Sequence, residues 1–424
     1  MERTFDLSGF RKGNSLSPLK ITNIFLGIDF GTSFTKVSYS YAPTQTPQIE
    51  TIKWNDALDG DFFKPTVLYI QNERLYFDKP AGDFKEVKYF KYSILETKLK
   101  NNSERTKNNF EEICCVYFLA QVLKRSLAII QEKLHIENMG NIKISVNMGV
   151  PLENFYEEKN KNNMGLYQEI LEDAVLLAGG CKVKTILPEN QVLISNLDSV
   201  FSEIEIKRAI PNWSVNVYPE LAAELLLYHQ SKFVADGFYA VIDIGGGTVD
   251  MALFQKKTNI LTKMPEMNCL DQKIFPYGIE ILKKAFETIS EKQFRQGFAS
   301  MLVGARLHFI NENIINVFFL GGGANEKWYF NNIKNTYIEH KLNRAGIPEL
   351  NFSIDLEDFI KSEEKILQKN QRLIISQMLA RHKNEIEDVK GFPNFYKSIQ
   401  PKKSPDNDPN NDKGKNSGWD DNEH

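Results

Sequence analysis

The sequence has few cysteines and no spacing typical of cysteine or histidine metal ligands. Its 424 residues include four cysteines, Cys114, Cys115, Cys181 and Cys269, and no CxxC pair. Cys114 and Cys115 are adjacent in an apolar, helix-like stretch, which favours buried free thiols in a reducing compartment. The six histidines form no HExxH motif or other ligand spacing. The sequence therefore argues against a disulfide-rich scaffold and against histidine-bound metal.

A large charge excess and a long apolar run are also absent. The 52 basic and 55 acidic residues give a formal net charge of −3, so no strong attraction to nucleic acid or anionic membrane is expected. The first residues contain no apolar signal core, and no run of about 18 apolar residues occurs. We therefore expect no transmembrane helix, no membrane insertion and a cytoplasmic location.

Two common nucleotide-binding motifs are missing as well. The sequence has no GxxxxGK[ST] loop, and its GGG run at residues 245–247 precedes a predicted strand. In a Rossmann turn the glycines would precede a helix. A P-loop protein and a dinucleotide-binding Rossmann domain are therefore excluded as interpretations of the glycine runs.

Both ends of the chain are polar. Residues 1–22 are predicted to be a flexible arm. Residues 396–424 have almost no apolar side chains and cannot offset the entropy cost of ordering their backbone. This segment is therefore predicted to be a disordered polar tail. A docking motif around Trp419 is the less favoured alternative.

One pattern of strand, aspartate, glycine turn and strand occurs twice. The first copy ends its strand at Asp29 and continues with strand 34–41, and the second ends its strand at Asp243 and continues with strand 248–254. Short alternating strands joined by a glycine turn predict a β-hairpin. Two such hairpins predict an internal duplication at the scale of a lobe.

Apolar periodicity places the other elements. The sequence predicts helices at residues 110–134, 165–178, 221–228 and 361–383, the last of them amphipathic. It predicts a strand at residues 141–151 and, within 317–325, a strand that runs into a glycine turn. The alternation of strands and helices favours an α/β fold.

The glycine turns predict a phosphate site. Several backbone N–H groups must point at a phosphate at close range, and glycine permits that approach because it has no Cβ. The turns at 29–33 and 243–248 each begin with a carboxylate, which can hold Mg²⁺ through water. A third glycine turn, at 321–323, follows another strand. A single turn of this kind is more often only a tight hairpin, but three are unlikely by chance.

Five stretches resemble motifs of the superfamily of actin, heat-shock chaperones and sugar kinases, and are closest to the DnaK-type chaperone ATPase domain. They are GIDFGTSFTK, FKPTVLYI, YPELAAELLLY, DIGGGTVD and FLGGGAN, in the order the superfamily requires. They cover about residues 25–340. The resemblance implies a two-lobed actin-like ATPase fold with duplicated ribonuclease-H-like lobes, binding ATP or ADP with Mg²⁺.

The resemblance also implies roles for single residues. Asp29 and Asp243 would position Mg²⁺ largely through water. Asp250 is a further candidate for the metal shell, and an inward-turned hairpin residue without that role is the equal alternative. The residues implied to hold phosphates are Gly31, Thr32, Ser33, Gly245, Gly246, Gly247 and Thr248, and those implied to lie against adenosine are Gly321, Gly322 and Gly323.

Two implied catalytic groups complete the site. Glu220 would orient the attacking water, although the proline that usually follows this glutamate is replaced by Leu221. A lysine from the outer part of the first lobe would contact the γ-phosphate. Lys91 is our candidate, and Lys88 is the alternative.

The resemblance divides the chain into lobes. Lobe one would span 23–235, with an outer insertion at about 42–105 and a linking helix at about 219–230, and lobe two would span 236–395. Only about forty residues separate Gly278 from Val317, so the outer subdomain of lobe two is expected to be reduced. We therefore expect an open adenine site, and we expect neither a peptide-binding domain nor filament formation.

Three functions are compatible with these features. The favoured hypothesis is a slow ATPase that acts as a nucleotide-dependent switch for a protein partner. The first alternative is a scaffold that binds nucleotide without hydrolysing it, and the second is a small-molecule kinase. The sequence does not identify the partner, because fold alone does not fix function.

Overall fold

The chain forms a mixed α/β protein in the computed structural model. The structure describes residues 22–42, 49–54, 62–94, 110–139, 142–151, 158–179, 191–193, 213–230, 234–261, 265–284, 291–309, 312–352, 371–381 and 386. The predicted disordered tail at 396–424, nearly all of the predicted arm at 1–22, and Cys181 lie outside the described residues. Within the described residues the strands form three sheets.

The first sheet contains the first predicted hairpin. Its strands are β1 (Asn23–Phe30), β2 (Phe34–Ala42), β3 (Ile49–Thr51), β4 (Lys64–Pro65), β8 (Lys143–Val150) and β10 (Trp213–Pro219). Strands β1 and β2 pair antiparallel with Asp29 opposite Lys36, and β8 runs parallel to β1 on its other side. The hairpin predicted from the sequence is confirmed.

The second sheet contains the second predicted hairpin. Its strands are β11 (Gly237–Ile244), β12 (Val249–Thr258), β13 (Pro265–Phe275), β14 (Ile314–Leu320) and β15 (Glu349–Asn351). Strands β11 and β12 pair antiparallel with Asp243 opposite Asp250, and β14 runs parallel to β11. Both sheets therefore contain a hairpin whose first strand has a parallel neighbour.

A small third sheet is built largely from the predicted outer insertion. Its strands are β5 (Val67–Gln71), β6 (Arg74–Tyr76), β7 (Lys85–Lys88) and β9 (Gln191–Leu193), in the order β7-β5-β6-β9. Strand β9 comes from about a hundred residues further along the chain than β7, so this sheet extends beyond the predicted insertion at 42–105.

Helices cover the sheets and connect them. They are α1 (Phe110–Lys133), α2 (Glu158–Ala178), α3 (Glu220–Gln230), α4 (Ile279–Lys284), α5 (Glu291–Gly304), α6 (Lys327–Glu339) and α7 (Ile374–Leu379). Helix α3 follows β10 of the first sheet and also contacts the second sheet, where the Tyr228 and Phe318 ring centroids lie 5.0 Å apart. Only α4, α5 and a 3₁₀ turn at Arg306–Phe309 lie between β13 and β14 in the described residues.

Helix α1 has the length and apolar composition of a membrane-crossing helix, and it is the one such helix in the described part of the chain. However, 78% of its most apolar window is buried inside the protein. Phe118 on α1 stacks on Phe30 with ring centroids 6.0 Å apart and contacts Phe77 at 5.3 Å. This degree of burial is typical of a core helix.

The predicted amphipathic helix at 361–383 falls largely outside the described residues, which include only 371–381 of it. Within that part a 3₁₀ turn at Gln371–Leu373 leads into helix α7. Every residue of α7 is buried, and α7 packs on β1 of the first sheet, although the prediction assigned it to lobe two at 236–395. Gly27 permits this approach, because a Cβ there would lie 2.1 Å from the Ser376 carbonyl oxygen. The Asn147 amide donates to the Leu379 carbonyl at 2.7 Å. The described part of this helix, α7, therefore has no exposed face.

Candidate functional site

A cavity of about 200 Å³ lies where the two hairpin turns meet. The predicted site residues that line it are Asp29, Gly31, Thr32, Ser33, Lys91, Glu220, Asp243, Gly245, Gly246, Gly247, Thr248, Asp250, Gly321 and Gly322. Gly323 and Lys88 are not among the lining residues. The Lys88 side chain is half exposed and pairs with Glu86 at 2.5 Å. Of the two candidate lysines, the structure brings only Lys91 to the cavity.

The first turn is held from outside by Thr66. The Thr66 N–H donates to the Ser33 carbonyl at 2.9 Å, and the Thr66 hydroxyl donates to the Gly31 carbonyl at 2.9 Å. The Ser33 hydroxyl oxygen is buried without a hydrogen-bond partner in the structure. A Cβ on Gly246 would lie 2.1 Å from this oxygen. The first turn is therefore fixed in place and directly abuts the second.

The second turn rests on the start of helix α4. Gly278, Ile279 and Glu280 donate backbone hydrogen bonds of 2.9–3.1 Å to the carbonyls of the turn at 245–247. A Cβ on Gly278 would lie 2.4 Å from the Gly247 carbonyl carbon. The sequence does not reveal this support, because one glycine before a short helix is not a distinctive signal.

The third turn, at 321–323, packs against the end of β11. Gly321 has a φ of 79°, and a Cβ there would lie 2.1 Å from Oδ1 of Asp243. The Gly323 N–H donates to the Ile244 carbonyl at 3.0 Å, which explains why Gly323 faces β11 and not the cavity. Glycine at 321 therefore permits both the left-handed backbone conformation and the close approach to the Asp243 carboxylate.

Besides Asp29 on β1, four buried carboxylates converge on the cavity from three further elements. Asp243 is the penultimate residue of β11, Asp250 lies opposite it on β12, and Glu220 begins α3. One carboxylate oxygen from each of these three lies within 4.8 Å of the others. Glu224, one helical turn after Glu220, also lines the cavity and is 1% exposed. The Oε2 of Glu224 and the Oδ1 of Asp250 are buried without hydrogen-bond partners.

Two lysines neutralise carboxylates on the first-sheet side. The Lys36 ammonium donates to Oδ2 of Asp29 at 2.6 Å. The Lys91 ammonium donates to Oε1 of Glu220 at 3.0 Å and also to the Phe30 carbonyl. Asp29 and Glu220 therefore have positive partners within the protein.

The acidic cluster holds protons more tightly than exposed acids do. Burial raises the pKa of Asp243 to about 7, and the charge of Glu220 adds to this rise. Burial also raises the pKa values of Glu224 and Asp250, each further raised by neighbouring carboxylates. Burial raises the pKa of Glu220 too, while the Lys91 ammonium opposes that rise. The shared cause is the removal of like charges from water.

Arg372 also lines the cavity and was not predicted. Its guanidinium carbon is 4.0 Å from the Phe63 ring centroid and 5.7 Å from that of Phe34. A Cβ on Gly322 would be 3.7 Å from the Arg372 Nε. Since Arg372 precedes helix α7, about 340 residues after Phe34, no local pattern indicates its position.

Two other missed residues carry a local signal. Glu224 stands four residues after Glu220, a spacing that puts both on one helix face. Lys36 stands seven residues after Asp29, opposite it in the hairpin. Helical and hairpin periodicity could have identified both.

The arrangement can hold an anion beside a cation. Residues of two glycine turns line the cavity, among them the hydroxyl-bearing Thr32, Ser33 and Thr248, and buried carboxylates lie beside them. Phosphate oxygens suit backbone N–H groups and hydroxyls, and hard divalent cations suit carboxylates.

No protein-family model matches this chain, and no curated protein matches it.

Proposed function

We propose that this chain is an actin-like protein that binds Mg²⁺–ATP, hydrolyses it slowly and signals its nucleotide state to a protein partner. The observation that carries the proposal is that Gly246 of the second turn lies directly against Ser33 of the first. Two turns of the same design, from two sheets, thus line one cavity. A phosphate chain between them would be held from both sides.

The sheet topology supports the proposed two-lobed fold with duplicated ribonuclease-H-like lobes. In both sheets a hairpin carries an aspartate at the end of its first strand, and a parallel strand lies beside that first strand. Helix α3, between the two hairpins in the sequence, contacts both sheets. This pattern is what a duplicated lobe with a linking helix would give.

The phosphate groups would be held by the turns. Backbone N–H groups and the unpartnered Ser33 hydroxyl supply donors in a site where protein replaces water. The carboxylates of Asp29, Asp243 and Asp250 fit a hard cation such as Mg²⁺, which would neutralise phosphate charge. Arg372 and the Gly321–Gly322 turn, which are neighbours in the lining of the cavity, would contact the nucleoside.

Hydrolysis requires a base for the attacking water. In the proposed reaction a water oxygen bonds to the γ-phosphorus, the bond to the bridging oxygen of ADP breaks, and the water proton passes to Glu220. The Lys91 ammonium opposes the burial-driven rise in the pKa of Glu220, which keeps more of this base ionised. Fixed charges of this kind act without reorganising during the reaction.

One observation favours the non-hydrolysing scaffold as a second candidate. Oε1 of Glu220 already accepts a hydrogen bond from Lys91, and the pair is buried. A base held in this way must approach water with its other oxygen. If that approach is blocked, ATP would bind and stay intact.

The test is phosphate release and nucleotide binding by the purified full chain. We expect slow, Mg²⁺-dependent release of phosphate from ATP, lost in Glu220→Gln and in Asp29→Asn. Gly165→Ala is a matched control, because a Cβ at Gly165 would meet no atom within 4 Å. Thermal stabilisation by ATP without phosphate release would select the scaffold. Absence of both stabilisation and release would refute nucleotide binding.

A further inference from the structure

We propose that residues 417–424 of this chain, anchored by Trp419, bind an apolar surface at the end of the second sheet that is remote from the cavity. This surface, here called the apolar end, consists of Ile260, Leu261, Leu307, Ile314 and Ile338. The inference does not rest on the proposed function, because none of these five residues lines the cavity. It favours the docking motif around Trp419 over the plain polar tail.

The apolar end contains the large apolar side chains that are exposed in the described part of the chain. Leu261 is 92% exposed, Ile260 is 76% exposed and Leu307 is 72% exposed, and Ile314 and Ile338 are exposed as well. Single exposed apolar residues are ordinary on a soluble protein, whereas a group of them at one place marks an interaction surface.

Strand pairing places Ile314 far from the cavity. Ile314 is the first residue of β14, and the parallel pairing of Ile315 with Phe238 puts it beside the start of β11. The cavity residues Asp243 and Leu320 lie at the other ends of the same two strands. Leu320 is six positions after Ile314, which corresponds to about 20 Å of strand.

The turn between β12 and β13 extends past the same end of the sheet. Gly237 at the start of β11 pairs with Lys256. Strand β12 continues to Thr258, and Ile260 and Leu261 follow in the turn. Both residues therefore lie beyond the end of the sheet at which β11 begins.

The other two members come from segments that flank β14. Leu307 lies in the 3₁₀ turn before β14, and the Phe309 ring of that turn contacts the Phe238 ring with centroids 5.1 Å apart. Ile338 is the penultimate residue of α6, and the chain then runs to β15, whose first residue pairs with Ile314. All five residues therefore belong to one end of the second sheet.

Hydrogen bonds fix the backbone of the turn that carries the two most exposed side chains. The Leu261 N–H donates to Oδ1 of Asn259 at 2.9 Å, and the Asn259 amide donates to Oε1 of Glu266 at 2.8 Å. The Thr258 N–H donates to Oδ2 of Asp236 at 2.8 Å. The turn is thus ordered while its apolar side chains remain in water, although removing apolar surface from water is the main favourable contribution to association.

The charge around the apolar end indicates the chemistry of its occupant. Exposed basic residues at this end of the sheet are Lys257, Arg306, Lys341 and Arg344. Exposed acidic residues there are Glu312, Glu349 and Asp236, and Asp236 already accepts two hydrogen bonds from Thr258. A small excess of positive charge beside apolar side chains fits a segment that combines an apolar anchor with carboxylates.

The segment around Trp419 has that chemistry. Trp419 is the only hydrophobic residue other than proline within residues 401–424. Asp420, Asp421 and Glu423 follow it closely. Tryptophan is among the residues that most often anchor an interface. Its ring would contact the apolar side chains, and the three carboxylates would lie among the basic ones.

The chain is long enough for this contact. Trp419 is 33 positions after residue 386, the last residue that the structure describes. A flexible segment of that length has a mean end-to-end distance of about 30 Å and can extend to about 110 Å. The ten residues of β12 span about 33 Å, so the segment can pass the whole length of the second sheet.

The experiment follows Trp419 in the full chain by ¹⁹F nuclear magnetic resonance after labelling with fluorotryptophan, with no nucleotide present. The chain has four tryptophans, and the Trp419 signal is the one missing from Trp419→Phe. A synthetic peptide of residues 413–424 with the same label gives the frequency of the unbound segment. We expect the wild-type Trp419 signal to be shifted from the peptide signal and as broad as the other three signals.

Removing two members of the apolar end should release the segment. In the double variant Leu261→Ser, Leu307→Ser we expect docking to weaken about tenfold or more, so that the Trp419 signal narrows and moves toward the peptide frequency. Both leucines are mostly exposed, so the fold should stay intact, and the other three tryptophan signals report whether it does.

A pair of charge reversals tests the basic residues. Arg306→Glu should move the Trp419 signal in the same direction as the leucine variant, because it places a carboxylate where the segment brings its own. Lys327→Glu is the matched control, since Lys327 is exposed and begins α6 just after the third turn. It should leave the Trp419 signal unchanged.

Three results would overturn the inference. A wild-type Trp419 signal at the peptide frequency would mean that the segment is unbound and that the apolar end is open to another molecule. A shifted signal that stays the same in Leu261→Ser, Leu307→Ser would place the segment elsewhere. A shifted signal that moves to the peptide frequency on tenfold dilution would assign the docking to the segment of a second copy.

Discussion

The Lys91 ammonium nitrogen lies 3.0 Å from Oε1 of Glu220, although the residues are 129 positions apart. Lys91 follows the small outer sheet, and Glu220 begins the helix that contacts both main sheets. Both side chains are buried. The bond therefore ties the outer part of the chain to the acidic cluster at the cavity.

Removing Lys91 is expected to reduce both stability and turnover. Lys91→Met leaves Glu220 buried without its positive partner, and breaking a buried pair costs about 3–5 kcal/mol of the free energy of unfolding. The double variant Lys91→Met, Glu220→Gln should recover much of that loss, because no charge is then left unpaired. Urea denaturation gives the free energy of unfolding of both variants, and phosphate release from ATP gives the turnover of Lys91→Met.

Lys88→Ala is the control for this prediction. Lys88 is half exposed and contacts only its neighbour Glu86 among the ion pairs of the described residues, and exposed pairs contribute about 0–1 kcal/mol. Equal losses in Lys88→Ala and Lys91→Met would contradict the importance assigned to the buried pair.

Gly278→Ala is expected to damage the second turn without touching the ligand. Its Cβ would meet the backbone of Gly247 and Thr248 at 2.4–2.5 Å, and backbone atoms cannot move aside as a flexible side chain can. The turn at 245–247 must therefore shift from its place beside the first turn. We expect at least a tenfold loss of ATP affinity by calorimetry, with a lower melting temperature. Gly165→Ala should change neither property for the worse.

Much of the site could be predicted from sequence because it is made of local patterns. Each hairpin needs only two short alternating strands and a glycine turn, and Asp29 and Asp243 are the penultimate residues of β1 and β11. The β1–β2 and β11–β12 pairs therefore appear where they were predicted.

The remainder depends on contacts between distant segments. Helix α7 is buried on all sides, so no polar face marks its orientation, and it reaches β1 only because Gly27 leaves space. Gly278 and Arg372 join the site through tertiary packing alone. Single-sequence patterns report the local periodicity of one element and not which elements meet.

Arg372→Ala is expected to weaken nucleotide binding and leave the cation site intact. The guanidinium is held over the Phe63 ring beside Gly322, and a hydrogen bond to a charged group contributes about 1.5–3 kcal/mol. At 1.4 kcal/mol per factor of ten, ATP affinity should fall about tenfold or more. Calorimetry with ATP measures nucleotide binding. Titration of the chain with MnCl₂, with the free Mn²⁺ followed by electron paramagnetic resonance, measures cation binding.

The control for Arg372 is Arg344→Ala, at an exposed arginine near the second sheet. Unchanged ATP affinity in Arg372→Ala would exclude Arg372 from the nucleotide site. A loss of Mn²⁺ binding in the same variant would show that Arg372 affects the carboxylates and not the nucleoside.

The acidic cluster predicts that the protein without divalent cations is less stable at alkaline pH. Burial raises the pKa of Asp243 to about 7 and raises those of Glu224 and Asp250, whereas unfolded carboxyls titrate near pH 4. Between these values the folded chain binds more protons than the unfolded chain, so stability falls as pH rises. Denaturation of the wild type in EDTA should therefore give a lower free energy of unfolding at about pH 8 than at about pH 5.5. This drop should be smaller in Asp243→Asn, which lacks one of the raised carboxyls.

Denaturation at the same two pH values with MgCl₂ in place of EDTA tests whether a divalent cation can neutralise the acidic cluster when protons no longer do. A cation that replaces the bound protons should restore stability at about pH 8 in the wild type and have little effect in Asp243→Asn, which has lost one ligand. Asp83→Asn should behave as the wild type, because Asp83 is exposed. The same pH dependence of the free energy of unfolding in the wild type and in Asp243→Asn, both in EDTA, would contradict this prediction. It would mean that Asp243 does not hold a proton in the folded chain near pH 7.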